Sequence, residues 1–248
     1  MKALILAAGK GTRLAPLTNK IPKCMVKYNN KSIIDYEIEA LKANNIADIA
    51  VVGGYLSNIL KQYIKIDKFY INDRFENTNM VWTMFCAREF LKSCIKDKED
   101  LIITYADIIY TSEIIKTLKD YRGEFGVIID KSWKELWNKR FDDILSDAES
   151  LKIKNNKIIE IGKKVESIDE IEGQYIGLFK ISHNFIATMI NFYDSLDKGK
   201  IYDKKDFYNM YMTSFLQEII NTFNNIEPVF INRGWIEIDS IADLETKL

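Results

Sequence analysis

Four stretches of the chain are apolar without alternation: Ala3–Ala8, Ile49–Val52, Leu101–Tyr105 and Phe125–Ile129. A strand with one wet face alternates, so unbroken runs predict strands covered on both faces, as in a parallel sheet. Between them apolar residues recur at helical spacing. Ile34, Ile38 and Leu41 share one face of a segment that Ser32 can cap, and Ser57 opens a shorter segment through Ile64. Val81, Met84, Phe85, Arg88 and Leu91 form a third row, and Ser112 opens a fourth helix through Asp120. Strands alternating with helices predict a doubly wound α/β fold, with a mainly parallel sheet and helices on both faces.

After Asp130 the pattern changes. Leu151–Lys154 and Lys157–Ile161 flank Asn155-Asn156 and predict a hairpin. Tyr175–Lys180 reads as a strand, Asn184–Leu196 and Tyr208–Thr222 as helices, and Pro228–Ile231 and Trp235–Ile238 as short strands. A last helix is expected from Ser240, carrying Ile241 and Leu244. No linker, repeat or low-complexity segment interrupts the chain, so residues 1–248 are expected to form one domain. Its first part, 1–130, is the αβ-patterned one, and 131–248 is richer in short strands.

Composition narrows the function classes. At 248 residues and 47% hydrophobic, the chain can fill a sizeable core. A net charge of −1, with basic and acidic residues interspersed, argues against a non-specific nucleic-acid binder, so any attraction for anions is local. Cys24, Cys86 and Cys94 are odd in number, lack metal spacing, and read as reduced thiols of a cytoplasmic protein. The single histidine, His183, reads as a surface or helix-start residue. Lys2 before an apolar run mimics a signal peptide, but six residues followed by Lys10 and Arg13 are too few. No apolar stretch approaches the ~20 residues of a membrane span.

The chemistry concentrates in Leu4–Lys23, LILAAGKGTRLAPLTNKIPK. A buried strand runs into Gly9, Gly11 and Thr12, which allow a tight turn with outward N–H groups. Arg13, Lys20 and Lys23 follow, and Pro16 and Pro22 stiffen the loop against helix formation. Fixed positive charge on a glycine turn suits a polyphosphate. A dinucleotide fingerprint fits poorly, because Leu14 stands where a third small residue belongs and the prolines interrupt the helix before Asp35. A P-loop fits poorly because Lys10 is followed by Gly11.

Ligands of open parallel sheets sit beyond the carboxyl ends of the strands, where Gly9, Gly53 and Asp107 fall. Gly53-Gly54 is either a tight turn or a close backbone approach to a ligand. Asn77-Thr78-Asn79 either caps a helix or reads a base edge. Asp107 is a turn residue or a metal ligand, and Asp239 a helix cap or a second ligand.

Taken whole, Gly9, Gly11, Arg13-Leu14, Pro16-Leu17-Thr18 and Pro22-Lys23 resemble the signature of the nucleotidyltransferases that make sugar nucleotides and CDP-activated small molecules. Further segments, among them Val51–Tyr55, Thr78–Val81, Asp130–Trp133, Gln174–Phe179 and Asn209–Phe215, resemble the cytidylyltransferases of small phosphorylated metabolites. The resemblance implies the Rossmann-like nucleotide-diphospho-sugar transferase fold. It implies transfer of CMP from CTP to an amino-bearing acceptor such as phosphoglutamine, phosphocholine or 2-aminoethylphosphonate, with sugar 1-phosphates as the alternative. Residues 1–130 then bind nucleotide and 131–248 the acceptor. Lys23, Arg13, Asp107 and Asp239 take the catalytic positions, the two aspartates holding Mg²⁺. Leu6, Ala8, Gly9, Lys10, Gly11, Thr12, Arg13, Gly53, Tyr55, Asn77, Thr78, Asn79 and Ala106 take the nucleotide positions. Ala106 departs from the glycine common in relatives.

For the acceptor side, Trp133 and Trp137 are spaced i, i+4 and share a face if helical. They either pack in the core or offer ring faces to an ammonium group. Lys131 is expected near the acceptor phosphate, Arg140 on an acceptor carboxylate, and, through the resemblance, Glu160, Lys163 and Tyr175 on the remaining side. CTP and a small phosphorylated substrate are the expected partners, with neither nucleic acid nor membrane. Oligomeric state is left open.

Overall fold

The computed structural model describes residues 1–248 as β1 (Lys2–Ala7), β2 (Lys27–Tyr28), β3 (Lys31–Ser32), α1 (Ile33–Ala43), β4 (Asp48–Gly53), α2 (Ser57–Ile64), β5 (Lys68–Ile71), α3 (Met80–Cys86), α4 (Arg88–Asp97), β6 (Leu101–Tyr105), β7 (Ile108–Tyr110), α5 (Ser112–Asp120), β8 (Phe125–Asp130), α6 (Trp133–Arg140), β9 (Glu149–Lys154), β10 (Lys157–Lys164), β11 (Gln174–Ile181), α7 (His183–Ser195), α8 (Met212–Phe223), β12 (Ile226–Ile231) and β13 (Trp235–Glu237). The central sheet has seven strands in the order β12-β8-β11-β6-β1-β4-β5. Neighbours pair in parallel except β11, which runs antiparallel to β6 and β8.

The period of two along β1 divides its side chains between two cores. Ala3, Ile5 and Ala7 pack with Ile34, Leu41, Ile115 and Leu118 of α1 and α5. Leu4 and Leu6 pack with Val81, Met84, Leu91, Ile186 and Leu216 on the opposite face. Helices therefore cover both faces, and each buried Leu or Ile contributes ~1.5–3 kcal/mol of transfer free energy. The four expected strands lie in this sheet, with ends shifted by a residue or so.

Several expectations are corrected by the fold. The row from Val81 to Leu91 is two helices, broken at Ala87, whose φ of −93° and ψ of 29° leave the helical region. The break takes Arg88 out of the apolar row to pair with Asp194 at 2.6 Å. The helix expected from Tyr208 starts at Met212, because Asp206 caps a separate turn at Phe207–Asn209. The last helix is only a 3₁₀ turn, Ala242–Glu245. Four strands were not anticipated: the short hairpin strands β2 and β3, the edge strand β5, and β7, which pairs with β13 in a ribbon of its own.

Two features position the site. The β7–β13 ribbon matches Ile108 to Glu237, and the Ile238 N–H donates to the Asp107 carbonyl at 2.8 Å. It thereby ties the end of β6 to a segment about 130 residues later. In β11 the register shifts between Tyr175 and Phe179, around Gly177 at φ +85°. A Cβ there would lie 2.5 Å from the Tyr105 ring, so glycine lets that ring pack directly against the strand. Because β11 is antiparallel, its first residues, Gln174 and Tyr175, emerge at the same edge as the carboxyl ends of β6 and β8.

Candidate active site

The loop after β1 crosses the carboxyl ends of the parallel strands. Gly11 adopts φ +65°, and a Cβ on it would stand 2.7 Å from the Cβ of Lys23. Thr18 Oγ1 donates to the Gly11 carbonyl at 2.9 Å and holds the loop in that shape. The Lys23 side chain lies against Gly11 and reaches the far end of β6. Its ammonium donates to Asp107 Oδ2 at 2.8 Å and also to Asp239, which the Arg13 guanidinium engages as well. Lys23 is largely buried and Arg13 largely exposed. Burial would lower the Lys23 pKa, but the charges of Asp107 and Asp239 outweigh it and hold the ammonium above its ordinary value.

Carboxylate oxygens of Asp107, Glu237 and Asp239 lie within 4.8 Å of one another. Asp107 Oδ1 is buried with no hydrogen-bond partner. Burial and the neighbouring Asp107 push the Glu237 carboxyl up to about 7, against the pull of Arg140. Three hard oxygen donors, one of them unsatisfied, fit a small divalent cation. Glu237 was absent from the sequence reading. The signal was available: Glu237 and Asp239 are two apart at a strand end, so both project to one side.

Beside this cluster is a small pocket of about 80 Å³ lined by Leu6, Ala8, Gly9, Phe75, Thr78 and Asn79, among others. Its outer wall is built on Asn72, fully buried, whose amide donates to Thr78 Oγ1 at 2.9 Å and Thr83 Oγ1 at 3.0 Å. Asn79 caps α3 through the Met80 N–H at 2.8 Å. Ala106 borders a second small pocket with Lys23 and Asp107. The Tyr55 N–H donates to the Ala8 carbonyl at 3.1 Å, and Lys10 Nζ lies 5.5 Å from the Tyr55 ring. Thr12 opens the 3₁₀ turn that carries Arg13. Two nucleotide-side expectations are placed elsewhere. Asn77 ends a 3₁₀ turn, exposed and outside the pocket. Gly53 makes room for Phe69, whose ring would stand 2.6 Å from its Cβ, while Gly54 is the residue against Ala8.

A cavity of about 460 Å³ opens from the carboxylate cluster. Arg13, Glu237 and Asp239 border it, Tyr105, Trp137, Tyr175, Tyr211 and Trp235 supply aromatic lining, and Asp147 and Glu149 add carboxylates. Of the expected acceptor residues, Trp137 and Tyr175 line this cavity and five do not. Trp133 is 1% exposed and packs edge-on against Trp137 at 5.7 Å, so it is core. Lys131 is exposed and sits over the Phe230 ring at 4.9 Å. The Arg140 side chain is buried and paired with Glu237 at 2.7 Å and Asp243 at 2.8 Å, leaving no free fork for a ligand. Glu160 and Lys163 pair with each other at 2.6 Å on β10, and Lys163 borders a separate groove beside α8. Hydrogen bonding from Lys163 draws the Glu160 carboxyl down to about 2. These residues share sequence proximity with the acceptor side but face outward or into the core. Asp147, Glu149 and Tyr211 were not singled out in the sequence, and Tyr105 only as a strand end, because the courses of β6, β9 and α8 in the fold bring them to the cavity.

A basic, glycine-bent loop facing a carboxylate cluster across a doubly wound sheet is the layout of an enzyme that handles a nucleoside triphosphate. The chain belongs to the nucleotidyl transferase family, whose model matches residues 2–163. It is 54% identical to the CTP:phosphoglutamine cytidylyltransferase of Campylobacter jejuni subsp. jejuni serotype O:2, over 100% of this chain and 99% of that protein. A choline-phosphate cytidylyltransferase of Streptococcus pneumoniae is 40% identical over 94 residues, covering 37% of this chain and 41% of that one. Among solved structures, the inositol-1-phosphate CTP transferase from T. maritima superimposes with a TM-score of 0.74 at 19% identity, covering 99% of this chain and 91% of that one. The CTP:phosphocholine cytidylyltransferase from Streptococcus pneumoniae does so at 0.66 and 21%, covering 98% and 95%. These two show the shared fold. No helix is long and apolar enough to cross a membrane.

Proposed function

We propose that the protein is a Mg²⁺-dependent cytidylyltransferase that transfers CMP from CTP to phosphoglutamine and releases pyrophosphate. The observation that carries this reading is the 54% identity to a phosphoglutamine cytidylyltransferase along the whole of both chains. An acceptor phosphate oxygen attacks the α-phosphorus as pyrophosphate leaves in line. Two polyanions must approach, so cancelling charge is the main catalytic demand. Lys23, held at the junction of loop and cavity, lies between the α-phosphate and the acceptor phosphate, and the exposed Arg13 swings onto the β- and γ-phosphates. The acceptor phosphate is mostly ionised at neutral pH, with a second pKa near ~6, so no general base is required. That agrees with a site without histidine. Asp107, Asp239 and Glu237 would hold Mg²⁺, which when bound neutralises non-bridging phosphate oxygens. Alignment of the two substrates does the rest.

The acceptor end favours an amino acid. Helix α8 begins at the cavity with no side-chain cap, so the first-turn amides at Met212 and Thr213 suit a carboxylate. The aromatic lining supports a second reading, in which phosphocholine or 2-aminoethylphosphonate is the acceptor. We place the enzyme in the cytoplasm, in keeping with three unpaired cysteines. Its CDP-linked product would serve modification of a capsule polysaccharide. Turnover of phosphoglutamine, phosphocholine, aminoethylphosphonate and a hexose 1-phosphate with CTP tests the acceptor; faster turnover of any of the others than of phosphoglutamine overturns the assignment. Thermal shifts with CTP, UTP, dTTP and ATP test the base, since the preferred nucleotide stabilises the fold most at equal concentration.

A further inference from the structure

The pocket of about 80 Å³ beside the catalytic loop has apolar walls of Leu6, Ala8, Phe75 and Met80, and its polar side chains are Thr78, Thr83 and Asn79. The hydrogen bonds around Asn72 fix where each threonine proton points. The Arg74 N–H can only donate, and it reaches Asn72 Oδ1 at 3.0 Å. The NH₂ end of that amide therefore faces the threonines, with one N–H for Thr78 Oγ1 at 2.9 Å and one for Thr83 Oγ1 at 3.0 Å. Each hydroxyl proton goes to a backbone carbonyl, which can only accept: Thr78 to Arg74 at 2.8 Å and Thr83 to Asn79 at 3.1 Å. Both protons are committed, and one lone pair is left on each oxygen. Asn79 is turned to the backbone as well, accepting from the Met80 N–H at 2.8 Å and donating to the Asn209 carbonyl at 3.4 Å. Asn72 is fully buried, and its own N–H donates to the Gly53 carbonyl at 2.8 Å, which ties the arrangement to the end of β4.

We propose that Thr78 and Thr83 select cytosine by its 4-amino group, with Asn72 as the positioning residue that leaves their oxygens acceptors only. This rests on the cytidylyltransferase reading above but not on phosphoglutamine in particular. Cytosine presents an N–H donor at position 4, where uracil presents a carbonyl acceptor. An oxygen whose proton is committed binds the first and repels the second. To receive uracil, a threonine would have to withdraw its proton from a buried carbonyl and leave that carbonyl unpaired. A site built around a donor on the substrate rejects an analogue without it far more strongly than shape alone does. CTP is therefore favoured over UTP by at least ~100-fold. The 4-deamino analogue of CTP, which neither donates nor repels at that position, is disfavoured about 10-fold.

The test uses the full chain with Mg²⁺ and phosphoglutamine, and compares kcat/KM for CTP, UTP and the 4-deamino analogue. The variants are Thr78→Val and Thr83→Val, which keep the shape and remove the oxygen, and Thr78→Ser and Thr83→Ser, which keep the oxygen. Each valine variant is expected to lower the preference for CTP over UTP about 10-fold and to narrow that over the deamino analogue to within ~3-fold. Each serine variant is expected to restore most of both. A loss by one common factor for all three nucleotides would overturn the proposal, because the threonines would then act only on the fold. A wild type that uses the deamino analogue as well as CTP would overturn it too. Valine strands an N–H of buried Asn72, so thermal unfolding is measured for every variant; should Thr83→Val not fold, Thr78→Val, at the more open position, decides. Should the wild type cytidylylate no acceptor, the reading of the acceptor fails separately, and calorimetric binding of the three nucleotides decides. A CTP preference lost in Thr78→Val sustains the proposal, and one that Thr78→Val leaves unchanged sinks it. A wild type that binds UTP as tightly as CTP sinks both this selection and the CTP reading.

Discussion

Replacing Arg140 with alanine should damage the enzyme toward every acceptor alike, through the fold. The side chain is 3% exposed and makes two charge-assisted contacts, Nε to Asp243 Oδ1 at 2.8 Å and Nη1 to Glu237 Oε2 at 2.7 Å. Alanine leaves Asp243, itself 5% exposed, without its cation and Glu237 without its counter-charge. Removing one partner of a buried ion pair costs ~3–5 kcal/mol. At ~2–4 °C per kcal/mol for a chain of this length, the melting temperature should fall by roughly 6–20 °C. The loss also reaches the chemistry, because Asp243 Oδ2 accepts from the N–H groups of Asp239 at 3.0 Å and Ser240 at 2.7 Å. Arg140 therefore steadies the loop that carries Asp239. Arg140→Lys keeps the charge but not the two-armed geometry, and should recover part of the stability. The assay is thermal unfolding, followed by kcat for phosphoglutamine and phosphocholine well below each variant's transition. A melting temperature within ~2 °C of wild type, or a loss confined to the carboxylate-bearing acceptor, would refute this account and return Arg140 to the acceptor pocket.

Asp107→Asn and Asp239→Asn should each lower turnover at least ~100-fold with the fold intact, and Glu237→Gln at least ~10-fold, since an amide cancels cation charge poorly; near wild-type rates at limiting Mg²⁺ would make the residue structural. Lys23→Ala should reduce kcat far more than CTP affinity, its charge mattering most as charge moves in the transition state. Weakened CTP binding with normal turnover at saturation would place Lys23 on the ground-state triphosphate instead. Gly11→Ala forces a side chain into a left-handed conformation, at about 1–2 kcal/mol, and against the Lys23 side chain. Both the melting temperature and kcat should drop, and a fully active variant would show that the loop relaxes freely.

The segments most legible in the sequence are those whose physics is local. Ala3–Ala8 reads as a buried strand because six successive apolar residues tolerate no wet face, and it is an interior strand of the sheet, between β6 and β4. Gly9, Gly11 and Lys23 stood out because a tight turn and fixed charge are written in adjacent residues. The acceptor side was legible in composition but not in direction. Trp133 and Trp137 do lie on one helix, the condition on which their spacing put them on a shared face, yet one is core and the other lines the cavity. Arg140 looked free because nothing nearby in sequence is its partner; Glu237 and Asp243 are about a hundred residues away.

The sequence by itself determined the strand–helix alternation, the phosphate-suited loop and the residue types available for catalysis, since propensity, period and turn chemistry act over a few neighbours. Only the tertiary structure decided which of those residues meet. The β7–β13 ribbon is three residue pairs long; the sequence showed one of its strands, Trp235–Ile238, but not the partner it pairs with, and that pairing sets Asp107 beside Glu237 and Asp239. The antiparallel course of β11 turns Tyr175 and Gln174 to the catalytic edge, and the entry to β9 turns Asp147 and Glu149 into the cavity. Such placements come from pairing and packing between segments about a hundred residues apart, and no local pattern encodes the direction in which a side chain will finally point.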